Sequence, residues 1–134
     1  IKTIAWKEGK EKTISQGTEI VKDFWNKKIG IDPASMNIYD GSGLSPANRI
    51  TTLTMARILQ SLKKETWFES YYNSLPLYNN MKMKSGTISD VIAYAGYHTS
   101  ASGTPMVFSF MINNYNGSSS AVRQKMFRVL NTLK

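Results

Sequence analysis

Apolar side chains recur at every third or fourth position over several parts of the chain, as on the buried face of an amphipathic helix. In the third such stretch one buried stripe would hold Leu53, Ala56, Ile58, Leu59 and Leu62. Threonine or serine precedes most of these stretches, as expected of helix caps, and Gly30 and Pro76 are the predicted stops of two of them. We therefore predict helices over residues 1–11, over residues 18–28 with Thr18 as the cap, and over residues 51–64. A short aromatic helix is predicted to end at Pro76. A final helix should follow residues 116–119, with a core side that holds Val122, Met126, Phe127, Val129, Leu130 and Leu133.

Between residues 81 and 115 the pattern changes to apolar runs separated by short polar connections. Strands are predicted over Met81–Ile88, Val91–Thr99 and residues 105–115. The connections Ser89-Asp90 and S-A-S-G-T are short enough to favour antiparallel neighbours. A chain of 134 residues with 41% hydrophobic content can bury one modest core. The predicted fold class is therefore α+β, a single domain in which a three-stranded antiparallel meander packs against amphipathic helices.

Composition narrows the classes of function. Lys+Arg number 17 against 9 Asp+Glu, a net charge of +8 that could attract nucleic acid. The basic residues are dispersed along predicted helices, however, so we interpret them as solvated faces and expect no nucleic-acid partner. Without cysteine, neither disulfides nor a cysteine zinc site can form. The only histidine, His98, is predicted to be an exposed strand-end residue rather than a general base, and no apolar run is long enough to span a membrane.

The tripeptide Lys84-Ser85-Gly86 is the main candidate for chemistry. It lies on a predicted strand, precedes a second hydroxyl at Thr87, and leads through a tight turn into another apolar strand. A lysine ammonium there would supply positive charge and a proton path near a nucleophile. A hydroxyl could hold a substrate carboxylate, and a glycine would let a substrate backbone lie against the strand. A match of three residues carries little weight alone, so its context decides.

Further stretches make a resemblance specific. The segment Y-D-G-S-G-L-S-P-A-N at residues 39–48 precedes a helix, and S-L-P-L at 74–77 and A-G-Y at 95–97 flank the K-S-G-T stretch. With the K-[ST]-G motif of serine penicillin-recognising enzymes, these segments resemble the D-alanyl-D-alanine carboxypeptidases of the penicillin-binding protein 4 type over essentially the whole chain. The resemblance implies a serine-type carboxypeptidase or endopeptidase that acts on peptidoglycan stem peptides through an acyl-enzyme. It also implies reaction with β-lactams, no cofactor, and a periplasmic or other extracytoplasmic location.

The resemblance implies roles for individual residues as well. Lys84, Ser85 and Gly86 would form the third catalytic motif. Thr87 would give its backbone N–H to the oxyanion hole and, together with Ser85, its hydroxyl to the terminal carboxylate of the substrate. The pocket for the side chain of the stem peptide would be lined by Leu44, Ser45, Ile88 and Ser89.

The nucleophile of such an enzyme is not evident in this chain. An S-x-x-K string occurs at residues 61–64 and an S-x-N string at 35–37, but their order is reversed and chance explains both. Ser61 also sits near the end of a predicted helix, whereas an attacking serine belongs near the N–H donors of a helix start. We therefore expect the C-terminal part of a transpeptidase-like domain, without the upstream S-x-x-K and S-x-N parts. Such a piece should be inactive by itself and should self-associate through an exposed sheet edge.

Some features depart from the family pattern and leave alternatives open. Serine replaces the usual threonine at position 85, Pro46 stands where many relatives carry arginine, and the stretch between Leu77 and Lys84 is shorter than usual. The main alternative is a non-catalytic module that binds peptidoglycan or a partner protein, and a fragment of a class A β-lactamase fits less well. Residues 40–45 are predicted to be a turn at the pocket rim and not a metal loop, because one carboxylate offers too few hard oxygen ligands.

Overall fold

The computed structural model describes all 134 residues, which form two compact units. The first unit is Ile1–Ile58 and the second is Leu59–Lys134, with the boundary inside a helix. None of the helices combines the length and the hydrophobicity that a membrane span requires.

The first unit combines helices with one small sheet. Helix α1 spans Lys2–Lys7 and helix α2 spans Ile14–Ile29. A 3-10 turn at Pro33–Ser35 leads into β1 (Met36–Asn37), which pairs antiparallel with β2 (Arg49–Ile50). Helix α3 (Thr52–Leu62) follows.

The prediction that Thr18 caps the second helix was wrong. Thr13 is the N-cap, with an extended backbone and a side chain that accepts the Gln16 N–H at 3.1 Å. Thr18 lies buried one turn inside the helix and donates its hydroxyl hydrogen to the Ser15 carbonyl. The C-terminal stop was predicted correctly, because Gly30 has φ 64°, a left-handed conformation that ends the helix.

The second unit is a four-stranded antiparallel sheet with helices. After helix α4 (Phe68–Ser74), the sheet has the order β3-β4-β5-β6. Its strands are β3 (Leu77–Tyr78), β4 (Met81–Ile88), β5 (Val91–Thr99) and β6 (Pro105–Asn113). Helix α5 (Ser119–Leu130) and a 3-10 turn at Asn131–Leu133 complete the unit.

These elements confirm the α+β fold class and the bounds of the first two predicted strands. The third strand ends at Asn113, two residues earlier than predicted. Strand β3 was not predicted because it is only two residues long. It forms a tight hairpin with β4 through Asn79 and Asn80, whose φ angles of 48° and 58° asparagine tolerates better than most residues. The short stretch before Lys84 is therefore an ordered hairpin.

Helix α5 packs against one face of the sheet and forms the core of the second unit. This core consists of Met81, Met83, Ile92, Tyr94, Phe108, Val122, Met126 and Leu130. Of the predicted helix positions, Val129 is 54% exposed, and in α3 Leu53 is 68% exposed, so those two predictions were wrong. The buried residues of α5 recur every four positions, and Val129 lies one position away from that row.

His98 is also not the exposed residue that was predicted. It lies inside β5 opposite Met106, and it is half-buried. Even-numbered residues of β5, such as Ile92 and Tyr94, belong to the core, and alternation along the strand places His98 on that same face. Its Nε2 atom is buried without a hydrogen-bond partner.

Candidate active site

The K-S-G-T stretch lies in the second half of β4, along an open strand edge. On one side it pairs with β5, and Lys84 lies opposite Ala95 and Thr87 opposite Ile92. On the other side β3 pairs only with Met81 and Lys82. Within the sheet, the outer edge of β4 beyond residue 83 therefore has no strand partner. An extended peptide can add to such an edge through main-chain hydrogen bonds.

Alternation along β4 places the Lys84 ammonium on one face of the sheet and the hydroxyls of Ser85 and Thr87 on the other. Met81 and Met83 are fully buried beneath α5, so Ser85 and Thr87 continue on the same face. Lys84 and Gly86 belong to the opposite face. Lys84 is exposed, and its Nζ donates to the carbonyl oxygen of Ser85 at 2.8 Å. The ammonium makes no ion pair with a carboxylate.

The face that carries Lys84 is open at Gly86. A β-carbon built at this glycine would meet no atom within 4 Å. The fold itself therefore does not require glycine at position 86. Free space next to the strand is what a substrate backbone would need in order to lie against it.

Arg123, which no sequence pattern indicated, reaches the other face of the same strand. This arginine lies in α5, and its Nη2 donates to the Thr87 hydroxyl oxygen at 2.8 Å. Its Nη1 donates to the Tyr94 hydroxyl oxygen at 3.1 Å. No local signal could have revealed this residue, because it looks like any other basic residue beside the apolar row of an amphipathic helix.

Tyr94 holds Arg123 in place because its own position is fixed. Its side chain is 2% exposed, and its ring packs against Phe127 and Tyr78 with centroid distances of 5.3 and 6.2 Å. Tyr94 also lies opposite Ser85 in the β4–β5 ladder. The buried Tyr94 thus fixes the Arg123 guanidinium on the face of β4 that carries the hydroxyls of Ser85 and Thr87.

Ile88 and Ser89, the predicted pocket residues of this unit, form the turn after that stretch. Ile88 is half-buried and lies opposite Val91, which closes a two-residue hairpin. Ser89 is exposed and has φ 45°, in the left-handed region. Both residues directly follow Thr87 on the open edge of the sheet.

Leu44 and Ser45, the other predicted pocket residues, lie in the first unit, on a loop organised by Asp40. Its Oδ1 accepts hydrogen bonds from the backbone N–H groups of Ser42 and Gly43 at 2.9 and 2.8 Å, and its Oδ2 accepts one from Ser45 N–H at 3.0 Å. Asn48 clamps the loop from the other end. It donates to Asp40 Oδ1 and accepts from the backbone N–H groups of Tyr39 and Asp40.

These contacts explain why D-G-S-G-L-S folds as a rigid turn. Desolvation raises the pKa of Asp40, but the hydrogen bonds from Asn48, Gly43 and Ser42 outweigh it and lower that pKa to about 2. The carboxylate therefore stays ionised and holds the turn. Leu44 projects from it with 78% of its surface exposed, while Ser45 is half-buried.

The serine of the S-x-x-K string lies near a helix end, as predicted, and the serine of the S-x-N string lies in a turn. Ser61 is one residue from the C-terminal end of α3. Ser35 closes the 3-10 turn before β1 and takes part in a chain of hydroxyls, in which Thr54 donates to Ser35 and Ser35 donates to the Asp32 carbonyl, both at 2.7 Å. The proton of Ser35 is directed to a backbone carbonyl, which cannot act as a base.

Comparisons with known proteins give matches in family, in sequence and in fold. The model of the D-Ala-D-Ala carboxypeptidase 3 (S13) family matches residues 1–133. A D-alanyl-D-alanine carboxypeptidase from Actinomadura sp. (strain R39) is 30% identical over 110 aligned positions, which cover 66% of this chain and 20% of that protein. The crystal structure of penicillin binding protein 4 from Haemophilus influenzae superposes with a TM-score of 0.82 at 23% identity and shares the fold. The match covers 98% of this chain and 34% of that one. The chain thus spans about a fifth of the curated relative and a third of the solved structure.

Proposed function

Because this chain belongs to the D-Ala-D-Ala carboxypeptidase 3 (S13) family, we propose that it forms one wall of the active site of a serine-type D-Ala-D-Ala carboxypeptidase or endopeptidase. The substrate would be the stem peptide of peptidoglycan, β-lactams would react as its mimics, and the enzyme would work in the periplasm or elsewhere outside the cytoplasm. The observation that carries this proposal is the K-S-G-T stretch on an open strand edge, with Lys84 exposed and free space at Gly86.

The chemistry would proceed through an acyl-enzyme. A serine hydroxyl supplied by another part of a longer protein would attack the carbonyl carbon of the penultimate D-alanine, and the terminal D-alanine would leave as the amine after receiving a proton. Water would then hydrolyse the ester and release the shortened peptide. Lys84 would stabilise the negative charge that develops as the serine hydroxyl attacks, and it would help to transfer the proton of that hydroxyl. The Thr87 N–H would contribute to the oxyanion hole.

The two faces of β4 support a division of these roles. The exposed ammonium of Lys84 and the space at Gly86 lie on one face, where the nucleophile and the substrate backbone would meet. The hydroxyls of Ser85 and Thr87 lie on the other face and can donate to the terminal carboxylate of the substrate. The side chain of the stem peptide would extend toward Ile88 and Ser89 at the hairpin.

Substitutions at Ser85 test the carboxylate role in the longer enzyme. Ser85→Thr keeps the hydroxyl, so kcat/KM should stay within about threefold of the parent. Ser85→Ala removes one hydrogen-bond donor to a charged group, worth about 1.5–3 kcal/mol, so kcat/KM should fall by roughly 10- to 100-fold. That loss should be confined to peptides with a free terminal carboxylate, measured against the same peptides as C-terminal amides. Equal losses on acids and amides would assign Ser85 a structural role.

The 134-residue chain itself tests the assignment of the nucleophile. Incubated with a fluorescent penicillin and run on a denaturing gel, it should give no labelled band, because Ser61 lies near the C-terminal end of α3, away from the N–H donors of a helix start, and Ser35 directs its proton to a backbone carbonyl. A longer protein that adds upstream S-x-x-K and S-x-N motifs should be labelled under the same conditions. If the 134-residue chain were labelled, mass spectrometry of its peptides would identify the serine, and the proposal of an external nucleophile would be wrong.

A further inference from the structure

Arg123 is a half-buried cation with no carboxylate partner. Its two hydrogen bonds go to the neutral hydroxyls of Thr87 and Tyr94, and it makes no ion pair in the structure. A guanidinium remains charged at any physiological pH and carries five N–H donors in a fixed plane. Hydroxyl groups orient this plane but do not neutralise its charge, so the site retains a positive charge that an anion would compensate.

The contact with Thr87 also determines what that hydroxyl can do. A threonine hydroxyl has one hydrogen to donate and two lone pairs to accept with. Arg123 has only donors, so its bond to Thr87 Oγ1 at 2.8 Å occupies a lone pair. The hydroxyl hydrogen must therefore point away from the guanidinium toward a different acceptor. Thr87 is in this way prepared as a donor rather than an acceptor.

From these two features we infer that Arg123 is a specificity-determining positioning residue for the terminal carboxylate of the substrate. It orients the Thr87 hydroxyl as a donor and places a positive charge on the carboxylate-binding face of β4. This inference rests on the proposed function, since it concerns the same substrate at the same strand.

The test uses Arg123→Gln and Arg123→Lys in the longer enzyme, with paired peptide substrates that end in D-alanine or in D-alanine amide. For the acid, Arg123→Gln should lower kcat/KM by about 10- to 100-fold, the usual effect of deleting a charged hydrogen bond, and mainly through a higher KM. For the amide, kcat/KM should change less than threefold. Arg123→Lys keeps the charge but loses the planar fork that bonds both hydroxyls, so it should restore part of the activity on the acid.

Two controls separate positioning from folding. Arg128→Gln changes an exposed arginine of the same helix and should leave both substrates unaffected. The thermal midpoint of each variant reports on folding, and Arg123→Lys provides the test should Arg123→Gln unfold. If the parent prefers the acid and both Arg123 variants keep that preference, this inference is wrong and the proposed function stands. If the parent cleaves neither peptide, the proposed function fails and the inference fails with it.

Discussion

Lys84→Ala in the longer enzyme should lower the rate of acylation by penicillin by about 10²- to 10³-fold, which is the usual cost of deleting one group that stabilises charge in an acyl-transfer transition state. Lys84 is exposed on the open face of β4, and its ammonium donates one hydrogen bond, to the carbonyl of the adjacent Ser85. No carboxylate of the protein neutralises it. Its charge is therefore available to the reacting groups, and its loss should cost little stability.

Stopped-flow measurement of the acylation rate, with active sites titrated by a fluorescent penicillin, provides the readout. Lys84→Met removes the charge but keeps the apolar stem, so it should be as slow as the alanine variant if charge is what matters. Lys125→Ala, at an exposed position of α5, is the matched control and should acylate at the parental rate. An acylation rate of Lys84→Ala within a few-fold of the parent would show that K-S-G is only a strand segment in this protein.

The strand that carries this lysine could be predicted because local patterns determine it. Met81 and Met83 alternate with lysines along β4, residues 91–95 of β5 form a continuous apolar run, and Ser89-Asp90 is too short to connect anything but antiparallel neighbours. The bounds of both strands follow from these features. The position of Thr13 as the cap of α2 could not be chosen over Thr18 in the same way, since both threonines precede apolar residues with helical spacing.

Contacts across the fold are what the sequence could not indicate. Arg123 and Thr87 are 36 residues apart, and their hydrogen bond exists only because α5 packs over β4. The amphipathic pattern correctly predicted that Val122 and Met126 are buried, but it does not indicate which groups the side chain of Arg123 will contact. His98 shows the same limit, because its burial depends on which face of β5 the helix covers.

Gly96→Ala should destabilise the 134-residue chain more than a change at any other glycine of the sheet. Gly96 lies opposite Met83 in the β4–β5 ladder, and a β-carbon there would collide with the carbonyl oxygen of Lys82 and lie 2.5 Å from the Cα of Met83. These are backbone atoms of the neighbouring strand, so no side-chain rotation can relieve the overlap. β4 would have to move away from β5 one residue before Lys84.

We expect Gly96→Ala to lower the free energy of unfolding by about 3 kcal/mol, at the upper end of ordinary overpacking, and the thermal midpoint by roughly 10 °C. Gly86→Ala is the matched control on the paired strand. Because its β-carbon would meet nothing within 4 Å, the midpoint should shift by less than about 2 °C.

In the longer enzyme, however, Gly86→Ala should lower kcat/KM, since the new methyl group would occupy the space proposed for the substrate backbone. Circular dichroism melts and peptide hydrolysis of both variants measure the two effects. Equal melting of Gly96→Ala and the parent would contradict the close approach of β4 and β5, and full activity of Gly86→Ala would contradict a substrate lying against this strand.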